Sequence, residues 1–354
     1  MESEYFKGRG AQLNPANPYI KNEYVSEHLE ALDEPLLVND KTEFFKETPK
    51  KIINRVTSPD IPFPYSMNPY QGCEHGCVYC YARTTHQYWG MSAGLDFERK
   101  IIVKENAPEL LAKALDNPRW RPQPIMLSGN TDCYQPIEKT RKITRQMLEV
   151  LLKYKHPVGI ITKNSLVLRD LDILEEMASM DLVRVAVSIT TLDEDLRRKM
   201  EPRTATGAMR MRTLGELSKA GVPTTIMVAP IIPGLNSHEI TSLIKTAAYR
   251  GVYSAAYTIL RLNGPVAGLF EDWIRKAFPN KADKVLRQVA EVHGGKLGEN
   301  RFGKRMRGEG VIADGINRLF KMAVSRYLEG REARPFDLKV FQRPPKNGQL
   351  SLFG

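Results

Sequence analysis

The chain has 354 residues, enough for one large domain or two ordinary ones, and its 42% hydrophobic and 26% charged residues are typical of a globular protein. It has no apolar run of about 18 residues, which argues against a membrane span. The N-terminus lacks the apolar core of a secretory signal, and four cysteines do not indicate a disulfide framework. We therefore expect a cytoplasmic protein without a membrane partner. The net charge of +11 favours an anionic partner such as nucleic acid.

The predicted elements begin after an N-terminal arm. Residues 1–60 are rich in proline, asparagine and charge and show no sustained hydrophobic period. From 61 to 265, short apolar or β-branched runs alternate with helical patterns. The predicted strands lie near 65–70 and at 125–128, 158–162, 182–189, 224–230 and 255–260. Six βα units imply a parallel α/β sheet, open or curved into a barrel, with function at the carboxyl ends of the strands.

Three of the intervening helices have recognisable ends. One begins near Pro136, another covers 206–220 and stops at Gly221, and a third takes Asn236 as N-cap with Glu239 three residues on. The residues expected to be buried on the first and third helices are Ile143, Met147, Leu148, Leu151, Ile240, Leu243, Ile244 and Ala247. These faces would cover the sheet.

A helical C-terminal region is predicted over 266–340, with helices near 269–278, 281–292 and 312–328. The loop before the last helix is rich in cations. Its cations are Arg301, Lys304, Arg305 and Arg307, and we expect them to contact nucleic-acid phosphates. Residues 341–354 read as a flexible tail.

Three of the four cysteines lie in one short loop after the first strand. Cys73, Cys77 and Cys80 are spaced Cys-x3-Cys-x2-Cys in "CEHGCVYC". One interpretation is a zinc site with His75 as fourth ligand, although structural zinc sites usually draw on two separated pairs. A thioredoxin-like pair would leave the third cysteine unexplained. The remaining interpretation is an iron–sulfur cluster with three protein ligands and one open iron.

"CEHGCVYC" resembles the signature of radical S-adenosylmethionine (SAM) enzymes, with Tyr79 in the aromatic position. The stretches "CVYCYAR", "SGNTDCYQPIEK", "ITKN", "SITTLDEDLRRKMEPRTA" and "APIIPGLNSHE" resemble the spore photoproduct lyase-related branch, also called DNA repair photolyase-like, over residues 60–265. The resemblance implies a partial (β/α)6 barrel, a [4Fe-4S] cluster on the three cysteines, SAM as cofactor, and an electron donor such as ferredoxin or flavodoxin.

The resemblance also implies roles for residues at the strand ends. Tyr79 would pack near the adenine of SAM, and Lys163 and Ser188 would reach its carboxylate and ribose. The candidates for binding its methionine amine are Ser128, Asn130, Thr131 and Asp132. The alternatives are core filling for Tyr79, an ordinary strand-to-helix turn for "SGNTD", and solvated loops for the other two residues.

Cys133 is the remaining thiol. The spore photoproduct lyase branch has a radical-quenching cysteine where this chain has Gly129. That departure puts spore photoproduct repair in doubt, while Cys133, four residues on, is a candidate catalytic hydrogen donor. The alternative is a buried small hydrophobe. Arg203 in "EPRTA" could pair with Glu201 or contact a phosphate or the SAM carboxylate.

The final "QLSLF" resembles the short peptide by which bacterial DNA polymerases and repair proteins bind the sliding clamp. The residues that carry the resemblance are Gln349, Leu350, Leu352 and Phe353. Apolar side chains on a polar tail are plausible ligands of a groove. The alternative is that the tail packs on its own domain.

Three functional hypotheses follow. The first is a radical SAM enzyme that repairs or modifies nucleic acid, with DNA as the expected substrate. The second keeps the radical chemistry with a protein or small metabolite as substrate. The third is a non-catalytic, zinc-containing nucleic-acid-binding protein.

Overall fold

A computed structural model of the protein describes residues 8–19 and 41–345. Its strands are β1 Glu43–Lys46, β2 Asn54–Arg55, β3 Tyr65–Met67, β4 Tyr70–Gln71, β5 Lys100–Val103, β6 Ile125–Leu127, β7 Val158–Thr162, β8 Val183–Ser188, β9 Thr224–Ile231 and β10 Ser254–Ile259. Its α-helices are α1 Leu95–Arg99, α2 Ala107–Leu115, α3 Glu138–Arg141, α4 Ile143–Lys153, α5 Leu171–Ser179, α6 Glu194–Met200, α7 Gly207–Lys219, α8 Ile240–Tyr249, α9 Pro265–Ala277, α10 Pro279–Glu291 and α11 Val311–Leu328. Short 3-10 helices cover Tyr81–Trp89, Ser165–Asp170 and Ser237–Glu239.

The main sheet has seven strands in the order β10-β9-β8-β7-β6-β3-β2 over the described residues. From β3 to β10 every neighbouring pair is parallel, and β2 is antiparallel to β3. The six predicted strands and their parallel arrangement are therefore confirmed, as a partial barrel whose edges in this part of the chain are β10 and β2. A smaller sheet, β1-β5-β4, lies beside the cysteine loop, which we define as residues 72–80.

The core is built from the strands and from the apolar faces of the helices. All eight side chains expected to be buried on the two helical faces are buried in one cluster with the sheet residues. A second cluster joins Cys77, Val78 and Tyr79 to α9 and α10 around the fully buried Trp273. The C-terminal helices thus share a core with the cysteine loop.

The helix predicted to begin near Pro136 is interrupted. Lys142 adopts a left-handed conformation with φ 54° and separates α3 from α4. The break has a local cause, because the Glu138 carboxylate accepts a hydrogen bond from the Thr144 N–H at 3.0 Å and also binds Arg169. The buried carboxylate caps the second helix and fixes the turn.

Asn236 occupies the N-cap position of the 3-10 turn that leads into α8, but its side chain does not cap the helix. Its amide oxygen accepts from the Ile232 N–H at 2.6 Å, and its Nδ2 donates to the carbonyls of Thr190 and Pro230. The loop between β9 and α8 is thereby tied to the end of β8, and α8 follows a 3-10 turn. The 206–220 helix is confirmed as α7: Thr206 caps it through the Met209 N–H, and Gly221 follows with φ +75°.

Within the described ranges, no helix is both long and apolar enough to cross a lipid bilayer.

Candidate active site at the carboxyl edge of the sheet

The cysteine loop follows β3 and β4 and brings three thiols together. Cys73 and Cys77 are buried, and Cys80 is half-buried. Burial raises the pKa of all three thiols, and neighbouring thiol charges contribute for Cys73 and Cys77. The three sulfur atoms therefore lie within electrostatic range of one another in a water-poor site.

The cysteine loop is held by groups distant in sequence. Gly76 has φ +69°, which suits glycine, and it carries the chain through the turn between the first two cysteines. The Val78 N–H donates to the Met200 carbonyl at 3.2 Å, and the Arg203 N–H donates to the His75 carbonyl at 3.2 Å. The end of α6 is thus fastened to the loop. Arg203 lies near Glu74 and has no recorded bond to Glu201, its suggested partner.

A second fastening comes from the turn after β6. The Glu74 N–H donates to Gln135 Oε1 at 3.0 Å, and the Ile137 N–H donates to the Glu74 carboxylate at 2.9 Å. His75 Nδ1 lies 3.3 Å from Asp132 Oδ2. The two loops predicted to form the site are therefore in direct contact.

The "SGNTD" turn is itself tightly bonded. Ser128 has φ 74° and accepts from the Cys133 N–H at 2.6 Å through Oγ. The Asn130 N–H donates to Asn68 Oδ1 at 3.0 Å, and Thr131 Oγ1 donates to the Tyr70 carbonyl at 2.7 Å. These bonds fix the turn against β3 and β4, at the edge where the predicted cofactor would bind.

Asp132 joins three elements through one carboxylate. Oδ1 accepts from Thr162 Oγ1 at 2.8 Å and from the Tyr134 N–H at 2.9 Å, and Oδ2 accepts from the Lys163 N–H at 2.7 Å. Burial alone would raise the pKa of Asp132, but the neighbouring His75 and these donors lower it below its usual value. The carboxylate is ionised and already well supplied with donors, which suits a part in positioning the loop.

Glu201 belongs to this site, although the sequence indicated it only as a possible partner of Arg203. It is fully buried and accepts from Arg210 at 2.7 Å and from Thr190 Oγ1 at 2.5 Å. The Tyr79 hydroxyl donates to it as well, and Lys163 Nζ lies 3.3 Å away. Burial would raise the pKa of Glu201, yet the two cations and two hydroxyls lower it well below its ordinary value.

Glu201 thereby connects three predicted site residues. Lys163 Nζ lies 5.7 Å from the centre of the Tyr79 ring, so both side chains pack against the same carboxylate. Ser188, at the end of β8, is buried, and its carbonyl accepts from Arg210 at 2.8 Å. The only sequence signal for Glu201 was its position beside Pro202 in "MEPR", just past the fourth parallel strand.

Cys133 lies in the main hydrophobic core. Its exposed fraction is 0%, and its carbonyl accepts from Thr144 Oγ1 at 2.7 Å. Burial raises the pKa of the thiol well above its ordinary value. This position favours the small-hydrophobe alternative over the predicted hydrogen donor.

The basic loop, residues 299–309, is partly neutralised by its own two acids and by Asp60. Arg301 pairs with Glu299 and Glu309, and Lys304 pairs with Glu309 at 2.6 Å. Arg305 lies 2.5 Å from Asp60. Among the four predicted phosphate-binding cations, Arg307 is the exception, since its guanidinium lies 4.1 Å from the Tyr257 ring centre, with no carboxylate recorded against it in this part of the chain. The sequence pattern therefore overstated the free positive charge of this loop.

The suggested clamp-binding residues Gln349, Leu350, Leu352 and Phe353 lie outside the described residues.

Known proteins share both the sequence family and the fold. Residues 67–247, more than half of the chain, match the family model described as the radical SAM superfamily. An uncharacterized protein of Mycobacterium tuberculosis is 34% identical over 233 residues, 65% of this chain and 68% of that protein. An uncharacterized protein of Methanocaldococcus jannaschii is 28% identical over 253 residues, 72% of this chain and 90% of that protein.

Two solved structures of spore photoproduct lyase resemble this one. The structure complexed with dinucleoside spore photoproduct has a TM-score of 0.58 at 17% identity, covering 81% of this chain and 80% of that chain. A mutant with bound AdoMet and dinucleoside spore photoproduct has a TM-score of 0.58 at 18% identity, covering 81% and 79%. At this level of identity the similarity shows a common fold.

The cysteine loop fits a [4Fe-4S] cluster with three protein ligands. Its thiols are buried and mutually close, and thiolates are the usual ligands of such clusters. Across the described ranges, no three His, Cys, Asp or Glu side chains are arranged to hold one metal ion. A zinc site requires its ligands to converge on a single ion, whereas in a cluster each thiolate binds a different iron. Three cysteines in one loop, with no second pair, form the donor set of the cluster that the matched family uses.

Proposed function

The chain belongs to the radical SAM superfamily, and from that premise we propose that it uses its cluster and SAM to repair or modify nucleic acid, with DNA as the substrate. In this family the reduced cluster supplies an electron that cleaves SAM to methionine and a 5′-deoxyadenosyl radical, which abstracts hydrogen from the substrate. The protein's own part is to bind, orient and shield these groups. Its electron donor would be a ferredoxin or flavodoxin.

Cys73, Cys77 and Cys80 would hold three irons and leave the fourth for the amino and carboxylate groups of SAM. The Glu201 network would fix Tyr79 for packing near the adenine and Lys163 near the carboxylate. The turn carrying Ser128, Asn130, Thr131 and Asp132 would border the methionine amine, and Ser188 the ribose. These assignments are proposals, and the bonds described above support them by fixing each group at the same sheet edge.

The observation that carries the substrate proposal is an unpaired guanidinium at the mouth of the barrel. Arg261 follows β10, and among the described residues no hydrogen bond or ion pair within 4 Å holds its guanidinium. Its guanidinium lies 5.9 Å from the ring of Tyr81, which is 53% exposed and directly follows Cys80. Burial and the nearby Arg305 lower the pKa of Arg261, and the charges of Tyr81 and Asp60 only partly oppose this effect. A cation of this kind can bind a phosphate, and the exposed aromatic ring beside it can stack on a base.

Two further facts support nucleic acid. The net charge of the chain is +11, which favours association with a polyanion. The structurally similar lyase was solved with a dinucleoside lesion bound. The sliding clamp stays a suggested partner, carried by the sequence "QLSLF" alone. A titration of the 341–354 peptide with a purified clamp tests it.

The decisive experiment measures 5′-deoxyadenosine formation by the anaerobically reconstituted, dithionite-reduced protein, with and without damaged DNA oligonucleotides. We expect SAM cleavage, and we expect bound DNA to change its rate. Arg261→Gln should weaken DNA binding and reduce the salt slope by about one. Arg212→Gln, an exposed arginine on α7, is the matched control.

The outcomes separate the hypotheses. If nucleic acid does not change the rate of SAM cleavage and the protein does not bind DNA at low salt, the substrate is a protein or a small metabolite. A protein that binds zinc and cleaves no SAM would overturn the enzymatic proposal altogether.

A further inference from the structure

One wall of the cysteine loop is formed by groups that have no place in the function proposed above. They are residues 8–11 of the N-terminal arm and the side chains of Arg83 and Glu98. Both side chains have an exposed fraction of 0%. Burying two charges costs several kcal/mol per ion unless both are paired and fully hydrogen-bonded.

Arg83 holds the backbone of a cluster ligand. Its Nε and Nη2 donate to the Cys77 carbonyl at 3.0 and 2.8 Å. Its Nη1 donates to the carbonyls of Ala93 and Gly94 at 3.2 and 2.9 Å. The guanidinium thus ties the middle cysteine of the loop to the segment that leads into α1.

Glu98 joins this guanidinium to the arm. One carboxylate oxygen accepts from Arg83 at 2.5 Å and from the Ala11 N–H at 2.8 Å. The other accepts from the Gly10 N–H at 3.2 Å. Two backbone donors of the arm and one side chain of the cysteine-loop region therefore share a single buried carboxylate.

The arm also touches the loop directly. A Cβ atom added at Gly10 would lie 1.7 Å from the Gly76 carbonyl oxygen and 3.0 Å from the Val78 nitrogen. Both neighbours are backbone atoms, which cannot rotate away as a side chain could. Only glycine allows the arm to lie this close to the cysteine loop.

We propose that Arg83 and Glu98 are positioning residues of the cluster site and that residues 8–11 form its outer wall. Arg83 holds the Cys77 segment in the ligand-binding conformation, and Glu98 balances the guanidinium charge while fastening the arm. The net charge around a cluster and the hydrogen bonds near its ligands help to set its reduction potential. The Arg83–Glu98 pair therefore tunes the cluster as well as holding its loop. This inference concerns the cluster alone and does not depend on the substrate.

The test compares Glu98→Gln and Glu98→Asp with Asp170→Asn, a control that neutralises another fully buried carboxylate, which is bonded to Arg169 and Tyr134. Each protein is reconstituted without oxygen, its iron and sulfide are counted, and its midpoint potential is measured by titration monitored by electron paramagnetic resonance. Glu98→Gln removes a negative charge, so its potential should move to a more positive value. Glu98→Asp keeps the charge and should move back toward wild type. The control should lose stability with an unchanged potential.

Retention of iron against a chelator gives an independent measurement. Loss of an outer partner of a metal site typically weakens metal affinity by about 10–100-fold, and we expect Glu98→Gln to fall in that range. Equal potential and equal retention in Glu98→Gln and wild type would overturn the role of the pair. If that variant does not fold, Gly10→Ala decides, because it keeps every ionisable group. Weaker iron retention in Gly10→Ala supports residues 8–11 as the outer wall of the cluster site, and wild-type iron retention overturns that role.

Discussion

The cysteine loop and the basic loop are both conspicuous in the sequence, and the structure treats them in opposite ways. The cysteine loop bonds to the Arg83 side chain, to the turn after β6 and to the end of α6, and Arg83 in turn links it to Glu98 and the arm. The basic loop bonds mostly to its own acids, Glu299 and Glu309, with one outside partner, Asp60. The cysteine loop is therefore held by hydrogen bonds from distant parts of the chain, whereas Arg301 and Lys304 are paired with acids of their own loop.

The largest effect is expected in the cysteine loop itself. Cys77→Ala removes a proposed cluster ligand, and Cys133, the cysteine outside the loop, lies in the hydrophobic core and cannot replace it. We expect loss of cluster assembly and of SAM cleavage, measured by absorption spectrum and iron content after reconstitution. Cys133→Ala serves as the control. An unchanged iron content in Cys77→Ala would remove this residue from the ligand set.

The next largest effect is expected for Glu201, the buried carboxylate that contacts Tyr79 and Lys163. Glu201→Ala leaves Arg210 buried without its partner and should destabilise the protein by about 3–5 kcal/mol, the usual cost of breaking a buried pair. Urea unfolding measures this loss. A change below about 1 kcal/mol, the range of exposed pairs, would mean that the network contributes little.

Glu201 also predicts a dependence on pH. Its pKa in the folded protein is lower than the value of about 4.3 expected when unfolded. The unfolded state therefore binds the proton first, and the stabilisation is complete above about pH 5 and is lost as the pH falls. The difference in unfolding free energy between wild type and Glu201→Gln should shrink from pH 7 to pH 3. A difference that stays constant would contradict the lowered pKa.

Cys133→Ala should have a smaller effect, of about 1–2 kcal/mol, because it removes one buried sulfur atom from a packed core. We expect SAM cleavage at the wild-type rate and unchanged formation of product from the substrate. Loss of product at normal SAM cleavage would restore Cys133 as a hydrogen donor.

The smallest effect is expected in the basic loop. Arg301→Gln breaks an exposed ion pair and should change stability by at most about 1 kcal/mol, with little change in DNA affinity. The affinity of both variants for a labelled oligonucleotide is measured by fluorescence anisotropy, and Arg261→Gln should weaken binding clearly. Equal losses in the two variants would return the basic loop to the nucleic-acid interface.

The sequence allowed the parallel strands to be predicted because each is a short buried apolar run, as "VGIIT" and "RVAVS" show. The cysteines were predictable because their chemistry needs a fixed spacing. Glu201, Arg83 and Glu98 were not, since their importance arises from partners up to 122 residues away, which no local pattern reveals. The break at Lys142 in the helix that begins near Pro136 and the bonds of the Asn236 side chain were not predicted. In both places buried side-chain contacts overrode the ordinary signals of helix ends.

The core that joins the cysteine loop to α9 and α10 bears on how the protein is made. Val78 and Tyr79 share a cluster with Trp273 and Val285, and the Trp273 indole donates to the Lys199 carbonyl at 2.9 Å. A ribosome must therefore synthesise the chain well beyond the family-matched residues 67–247 before the pocket for the cluster has its full packing. Iron loading would then be a late event in biogenesis, and a fragment that ends at residue 265 should emerge with its cysteines poorly sheltered from oxygen.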